Sequence, residues 1–162
     1  METEEALKVI KHADVGERTA AILELGRLKD KAAVPALRRA LADPETRALA
    51  CWSLGRIASK ETVPGILALL ADEDPMVRHE AVLALARIGD KSAAKPLARL
   101  LELDEEAKVR EECAEALVAF PSKEAAAALK KASAKDPSRQ VMERAGKSLV
   151  ALRLKELGVK QR

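Results

Sequence analysis

The sequence predicts an all-α chain, an α-α superhelix of five antiparallel helix pairs, and three observations carry that prediction. The first is a helical phrase that returns five times: Leu25-Gly26-Arg27-Leu28, Leu54-Gly55-Arg56-Ile57, Leu85-Ala86-Arg87-Ile88, Leu117-Val118-Ala119-Phe120 and Leu149-Val150-Ala151-Leu152. The second is its period. The closing residues Leu28, Ile57, Ile88, Phe120 and Leu152 stand 29, 31, 32 and 32 residues apart. A repeat of about 30 residues with two helices buries its apolar face only by stacking on its neighbours. The third is composition. Apolar residues make up 48% of the 162, yet there is one Phe, one Trp and no Tyr, so strand-forming aromatics are scarce and helix formers abundant.

The units fall near residues 3–28, 31–57, 60–88, 91–120 and 123–157, and are expected to stack as a single domain over 1–162. Capping residues Asp30, Ser59, Asp90 and Ser122 each precede a Lys and open the first helix. That helix carries Val34, Leu37 and Leu41, then Val63, Ile66 and Leu70, then Ala94, Leu97 and Leu101, at helical spacing. Pro35 and Pro64 recur early in it, with Pro96 shifted by one. Interior proline costs about 3 kcal/mol, so a late-starting or bent first turn is predicted.

Asp43-Pro44, Asp74-Pro75 and Asp136-Pro137 mark the turn into the second helix. Asp is expected to cap that helix and Pro to take its first position; Asp104 with Glu105 serves in the fourth unit. Four residues before each phrase Leu stand Ala21, Ala50, Ala81, Cys113 and Ala145, small enough for neighbouring helices to approach. Seven before stand Arg18, Arg47, Arg78 and Arg110, with Met142 breaking the series. This row lies at the edge of the core face, so its arginines are expected to reach carboxylates or helix-end carbonyls between repeats. At the far end Leu149, Leu152 and either Val150 or Leu154 should close the core, with Gly158 stopping the helix.

The second-helix pattern resembles the HEAT-like repeats of the family named for phycobilisome lyases. Val77-Arg78-His79-Glu80-Ala81 through Ala84-Leu85-Ala86-Arg87-Ile88-Gly89-Asp90 carries the resemblance, as does the stretch from Arg18 to Asp30. In similar arrays this helix lines the concave surface. The resemblance therefore implies that the positions where the repeats disagree, about 120–220° from the core direction, face a groove. Leu23, Leu49, Trp52, Met76 and Leu83 would form an apolar stripe there, with Arg27, Arg56 and Arg87 beside it. His79 and Glu80 lie among them, and Glu111, Glu112 and Glu115 make an acidic patch on the fourth unit. Apolar side chains off the core face, Trp among them, point to a protein contact. The expected function is a non-enzymatic scaffold binding a protein or peptide, as a monomer or as a weak dimer through the same face.

Two other functions remain in view. HEAT-like DNA glycosylases use cationic grooves, and the Arg row with the basic C-terminal segment could contact nucleic acid; groove carboxylates and missing aromatic platforms count against it. That segment, residues 139–162, holds seven Lys/Arg against two acids within a net charge of +3, which also suits a solvated helix end. A phycobilin-lyase-like accessory role is the second. Similar repeats in deoxyhypusine hydroxylase hold iron through four His-Glu pairs. Here His79-Glu80 is one pair, its counterparts are Thr19-Ala20, Ala48-Leu49, Glu111-Glu112 and Glu143-Arg144, and His12 lies on the first helix away from this face. No metal, cofactor or catalytic residue is predicted.

The acidic start and the lack of a run of roughly 20 apolar residues point to a cytoplasmic protein. Cys51 and Cys113, two repeats apart, read as unpaired packing residues.

Overall fold

A computed structural model describes residues 2–11 and 14–158. It contains ten α-helices, with no strand among the described residues. His12 and Lys160 lie outside them. The chain divides into two compact units, Met1–Ile88 and Gly89–Arg162. No described helix is long and apolar enough to cross a membrane.

The first unit holds α1 (Thr3–Val9), α2 (Val15–Leu28), α3 (Val34–Ala40), α4 (Arg47–Ile57), α5 (Val63–Ala68) and α6 (Pro75–Ile88). They pair as α1 with α2, α3 with α4 and α5 with α6, and the second helices pack in series, α2 on α4 and α4 on α6. Ala21, Leu25, Ala50, Leu54, Ala81 and Leu85, the repeating core positions, are fully buried. Each buried Leu contributes on the order of 2 kcal/mol.

The second unit holds α7 (Ala94–Leu103), α8 (Ala107–Ala116), α9 (Lys123–Lys135) and α10 (Arg139–Glu156). Here α7 packs on both α8 and α9, and α10 on both α8 and α9. Leu97, Leu101, Cys113, Leu117, Leu129, Ala145 and Leu152 form its core. Leu154 is half-buried while Val150 stands exposed, so Leu154 is the one of the two that helps Leu152 and the half-buried Leu149 close the end. Gly158, at φ 71°, follows the end of α10.

The predicted late start of the first helices takes a definite form. A 3₁₀ turn, Lys31–Ala33 or Lys60–Thr62, precedes α3 and α5, and Pro35 and Pro64 occupy the second helical position. No intrahelical amide bond is lost there. Asp30 caps the first of these turns through the amide of Ala32, Asp90 caps a third such turn, Lys91–Ala93 before α7, through Ser92, and Ser122 caps α9 through Ala125. Ser59 differs, since its hydroxyl bonds Glu61 and caps nothing.

The turn into the second helix differs from expectation. Only Asp74 with Pro75 behaves as predicted: Pro75 opens α6, and the Asp74 carboxylate accepts from Met76 N at 2.8 Å. Asp43, Asp72, Asp104 and Asp136 instead accept from the amides two residues on, at Glu45, Asp74, Glu106 and Ser138. That side-chain turn occupies the chain for extra residues. Thus α4, α8 and α10 start later, after Thr46, Glu106 and Ser138, and Pro44 and Pro137 stand before the helix.

The same carboxylates receive the arginine row. Arg18 reaches Asp43 at 3.3 Å and Glu45 at 3.2 Å, and Arg47 reaches Asp72 at 3.0 Å, whose side chain is 4% exposed. Arg110 takes Asp136 through two bonds of 2.9 Å. Arg78 and Arg110 also donate to turn carbonyls, of Asp72 with Glu73 and of Asp104 with Glu105. Arg18, Arg47 and Arg110 thus link their repeat to the next turn, and Arg78 braces its own.

Candidate binding face

The second-helix face of the first unit is set by how closely its helices approach. Gly26 on α2 meets Ser53 on α4: a Cβ at Gly26 would fall 2.5 Å from the Ser53 hydroxyl and 2.8 Å from its Cα. Gly55 on α4 meets Ala84 on α6 in the same way, at 2.7 Å from the Cα. Ser53, buried at this contact, donates its hydroxyl to the Ile22 carbonyl at 2.8 Å. Glycine at the second place of the phrase thus draws three helices together. Leu23, Trp52 and Leu83 stand at equivalent places on α2, α4 and α6, two residues before each phrase Leu.

None of the five stripe residues belongs to the core. Leu23 and Met76 are 38% and 59% exposed, and Leu49, Trp52 and Leu83 are half-buried. Trp52 carries the Arg56 guanidinium over its ring at 4.9 Å from the centroid, a cation–π contact one helical turn apart. Arg56 also donates Nε to the Gly26 carbonyl at 3.0 Å, near the end of α2. The indole is therefore held across one ring face by a cation that is itself tied to the neighbouring helix.

The arginine row is less uniform than its spacing predicts. Arg27 is engaged by Glu24 through two 2.8 Å bonds, which hold the Glu24 carboxyl below its ordinary range. Arg56 is committed to Trp52 and Gly26. Arg87 is exposed and has no ion-pair partner among the described residues. His79 Nδ1 lies 3.8 Å from Glu80 Oε1, both half-buried.

Glu111, Glu112 and Glu115 lie on α8 in the second unit. Arg144 on α10 reaches Glu111 at 3.5 Å and Glu115 at 3.1 Å, and Lys108 reaches Glu111 at 3.3 Å. Much of this acidic patch is therefore neutralised within its own unit.

The donor set for a metal does not fit. No group of three or more His, Cys, Asp or Glu side chains among the described residues is placed to hold an ion. Cys51 and Cys113 are free and buried; burial pushes the Cys51 thiol up to about 12 and the Cys113 thiol well above its ordinary value. Neither is a nucleophile at neutral pH.

The sequence reading missed Glu24, Gly26 and Ser53. The signal was present: Gly recurs after the phrase Leu in the first two repeats, opposite the small Ser53 and Ala84 of the following ones.

The description HEAT repeats matches residues 3–63 and 41–118, and PBS lyase HEAT-like repeat matches residues 109–135. No curated protein matches the chain. Among solved structures it resembles a chain in the complex of CpcE and CpcF of phycocyanin lyase from Nostoc sp. PCC7120. The identity is 26%, over 97% of this chain and 67% of that one, with a TM-score of 0.82. An engineered protein shares the fold at 21% identity over 94% and 80% of the two chains, TM-score 0.70. Human deoxyhypusine hydroxylase does so at 18% identity over 93% and 84%, TM-score 0.51. With two thirds of its length under one family pattern and helix pairs stacked in the matching way, the chain belongs to the HEAT repeat family.

Proposed function

We propose that this repeat protein is a non-enzymatic scaffold that binds a protein or peptide along the second-helix face of its first unit. The observation that carries the reading is the set of apolar side chains left outside the core at equivalent positions of packed helices: Leu23, Trp52 and Leu83, flanked by Leu49 and the exposed Met76. A large side chain off the core, held in a fixed pose, is the usual anchor of a protein contact. Arg56 fixes Trp52 in this way, and Arg87 is left to meet an acidic group on the partner. His79 and Glu80, on the same helix as Leu83, would tune the charge of the site rather than anchor the partner. The likeness to a chain of the CpcE–CpcF complex supports a protein partner, and keeps an accessory role of the lyase type as the second reading.

Affinity capture from the source cell with wild type and Trp52→Ala tests the proposal. Losing the indole that the partner would bury costs on the order of 2 kcal/mol, about a thirtyfold loss of affinity, with circular dichroism unchanged. Equal capture by both proteins would remove Trp52 as the anchor.

A further inference from the structure

Charge is divided unevenly between the two units. Residues 1–88 carry 13 Lys/Arg and 14 Asp/Glu, a net of −1; residues 89–162 carry 16 and 12, a net of +4. Within the second unit the acids gather on the turns and on α8, where Arg110 and Arg144 meet several of them. The first helices are different. Lys91 and the α7 residues Lys95 and Arg99 follow one another at four-residue steps on one exposed face, and α9 exposes Lys123, Lys130 and Lys135. None of these six has an ion-pair partner among the described residues. The helices pack side by side, and Lys131 on α9 bridges to Glu102 on α7 at 2.6 Å. The two cation-bearing helices are therefore neighbours. Apart from Glu102, Glu124 is the exposed acid on these two helices.

We infer that this α7–α9 face binds the phosphate backbone of nucleic acid without reading its sequence. The composition selects among polyanions. Protein interfaces are depleted in Lys and built on aromatic and apolar cores, whereas five of these six cations are Lys and small Ala127 and Ala134 lie between them. Stable membrane attachment needs a second, apolar signal beside the cations, and Leu103, 68% exposed at the end of α7, is a single side chain. Phosphate neutralisation needs neither. Lysine is a flexible point charge that meets phosphate without fixed geometry. The helices span roughly 15–20 Å, along which a duplex offers about one charge every 1.7 Å. This face is distinct from the Trp52 face, and the inference does not rest on the protein-scaffold reading.

Fluorescence anisotropy of a labelled duplex of about 20 base pairs tests it with the full chain. If four phosphates are neutralised, affinity falls roughly a hundredfold between about 50 and 200 mM salt. Lys95→Glu with Arg99→Glu and Lys130→Glu, all exposed and checked for fold by circular dichroism, should abolish binding at low salt. Arg27→Glu with Arg87→Glu, in the first unit, and Trp52→Ala should each leave it intact. No binding by wild type at low salt overturns the inference, as does retained binding by the triple variant or loss with Arg27→Glu and Arg87→Glu. Tighter binding to phosphatidylserine vesicles than to the duplex overturns it in favour of a lipid surface.

Discussion

Arg110 meets Asp136 side by side, Nε to Oδ2 and Nη2 to Oδ1, both at 2.9 Å, with the two side chains 8% and 5% exposed. A third nitrogen, Nη1, is spent on the carbonyls of Asp104 and Glu105. One guanidinium thus binds its own turn and the next repeat's turn at once.

Removing one partner should be costly, because the other would stay buried and uncompensated. Arg110→Ala is expected to lower stability by about 3–5 kcal/mol, read from urea unfolding at neutral pH. Burial pushes the Asp136 carboxyl up, but the Arg110 hydrogen bonds, the Ser138 amide and the Arg110 charge outweigh it and hold it below its ordinary value. A depressed carboxylate stabilises fully above its unfolded value of about 3.9. That contribution is lost as pH falls through the lower, folded value. Asp136→Asn should therefore flatten the loss of stability below about pH 4 relative to wild type; an unchanged slope would show that Asp136 is not depressed.

Gly55→Ala should destabilise by about 1–3 kcal/mol, since the new methyl would meet the Ala84 backbone at 2.7 Å. Gly146→Ala is the control. Its nearest neighbour is 3.9 Å away, and in the interior of α10 alanine is the better helix former by about 1 kcal/mol. Thermal melts of the two variants should move in opposite directions.

Ala58 ends α4 at φ 57°, where Gly89 ends α6 at φ 69°. A side chain in the left-handed region costs about 1–2 kcal/mol, partly offset by the freer unfolded chain of glycine. Ala58→Gly should then raise stability by about 0.5–1 kcal/mol, a shift of a few degrees in the melting midpoint. A lower midpoint would place the strain elsewhere.

Both cysteines should resist alkylation in the folded protein at pH 8, since burial keeps each thiol protonated as well as covered. Full labelling should appear only in denaturant. Rapid modification of either under native conditions would show that its helix opens locally.

Helix pairing was legible because stacking imposes it: Leu25, Leu54 and Leu85 must recur in register to be buried, so periodicity reveals them. The arginine row was legible for the same reason. Which aspartate accepts it was not. Asp72, not the proline-linked Asp74, receives Arg47, because the turn length varies between repeats and the side-chain turn depends on geometry that spacing alone does not fix. The commitments of the proposed site were hidden for another reason. Arg27 and Arg56 stand at equivalent places, yet one is bound by Glu24 on its own helix and the other by a carbonyl of its neighbour. Non-core positions are under no stacking constraint, so nothing in the period distinguishes them.

Within the second repeat, Asp43 accepts from Arg18 while Arg47, four residues on, donates to Asp72. A single short segment is therefore both socket and plug. A duplicated copy of that repeat would arrive already able to mate on either side, with no new interface to invent. Growth by copying is then mechanically simple, and drift is left to the surfaces that mate with nothing inside the chain.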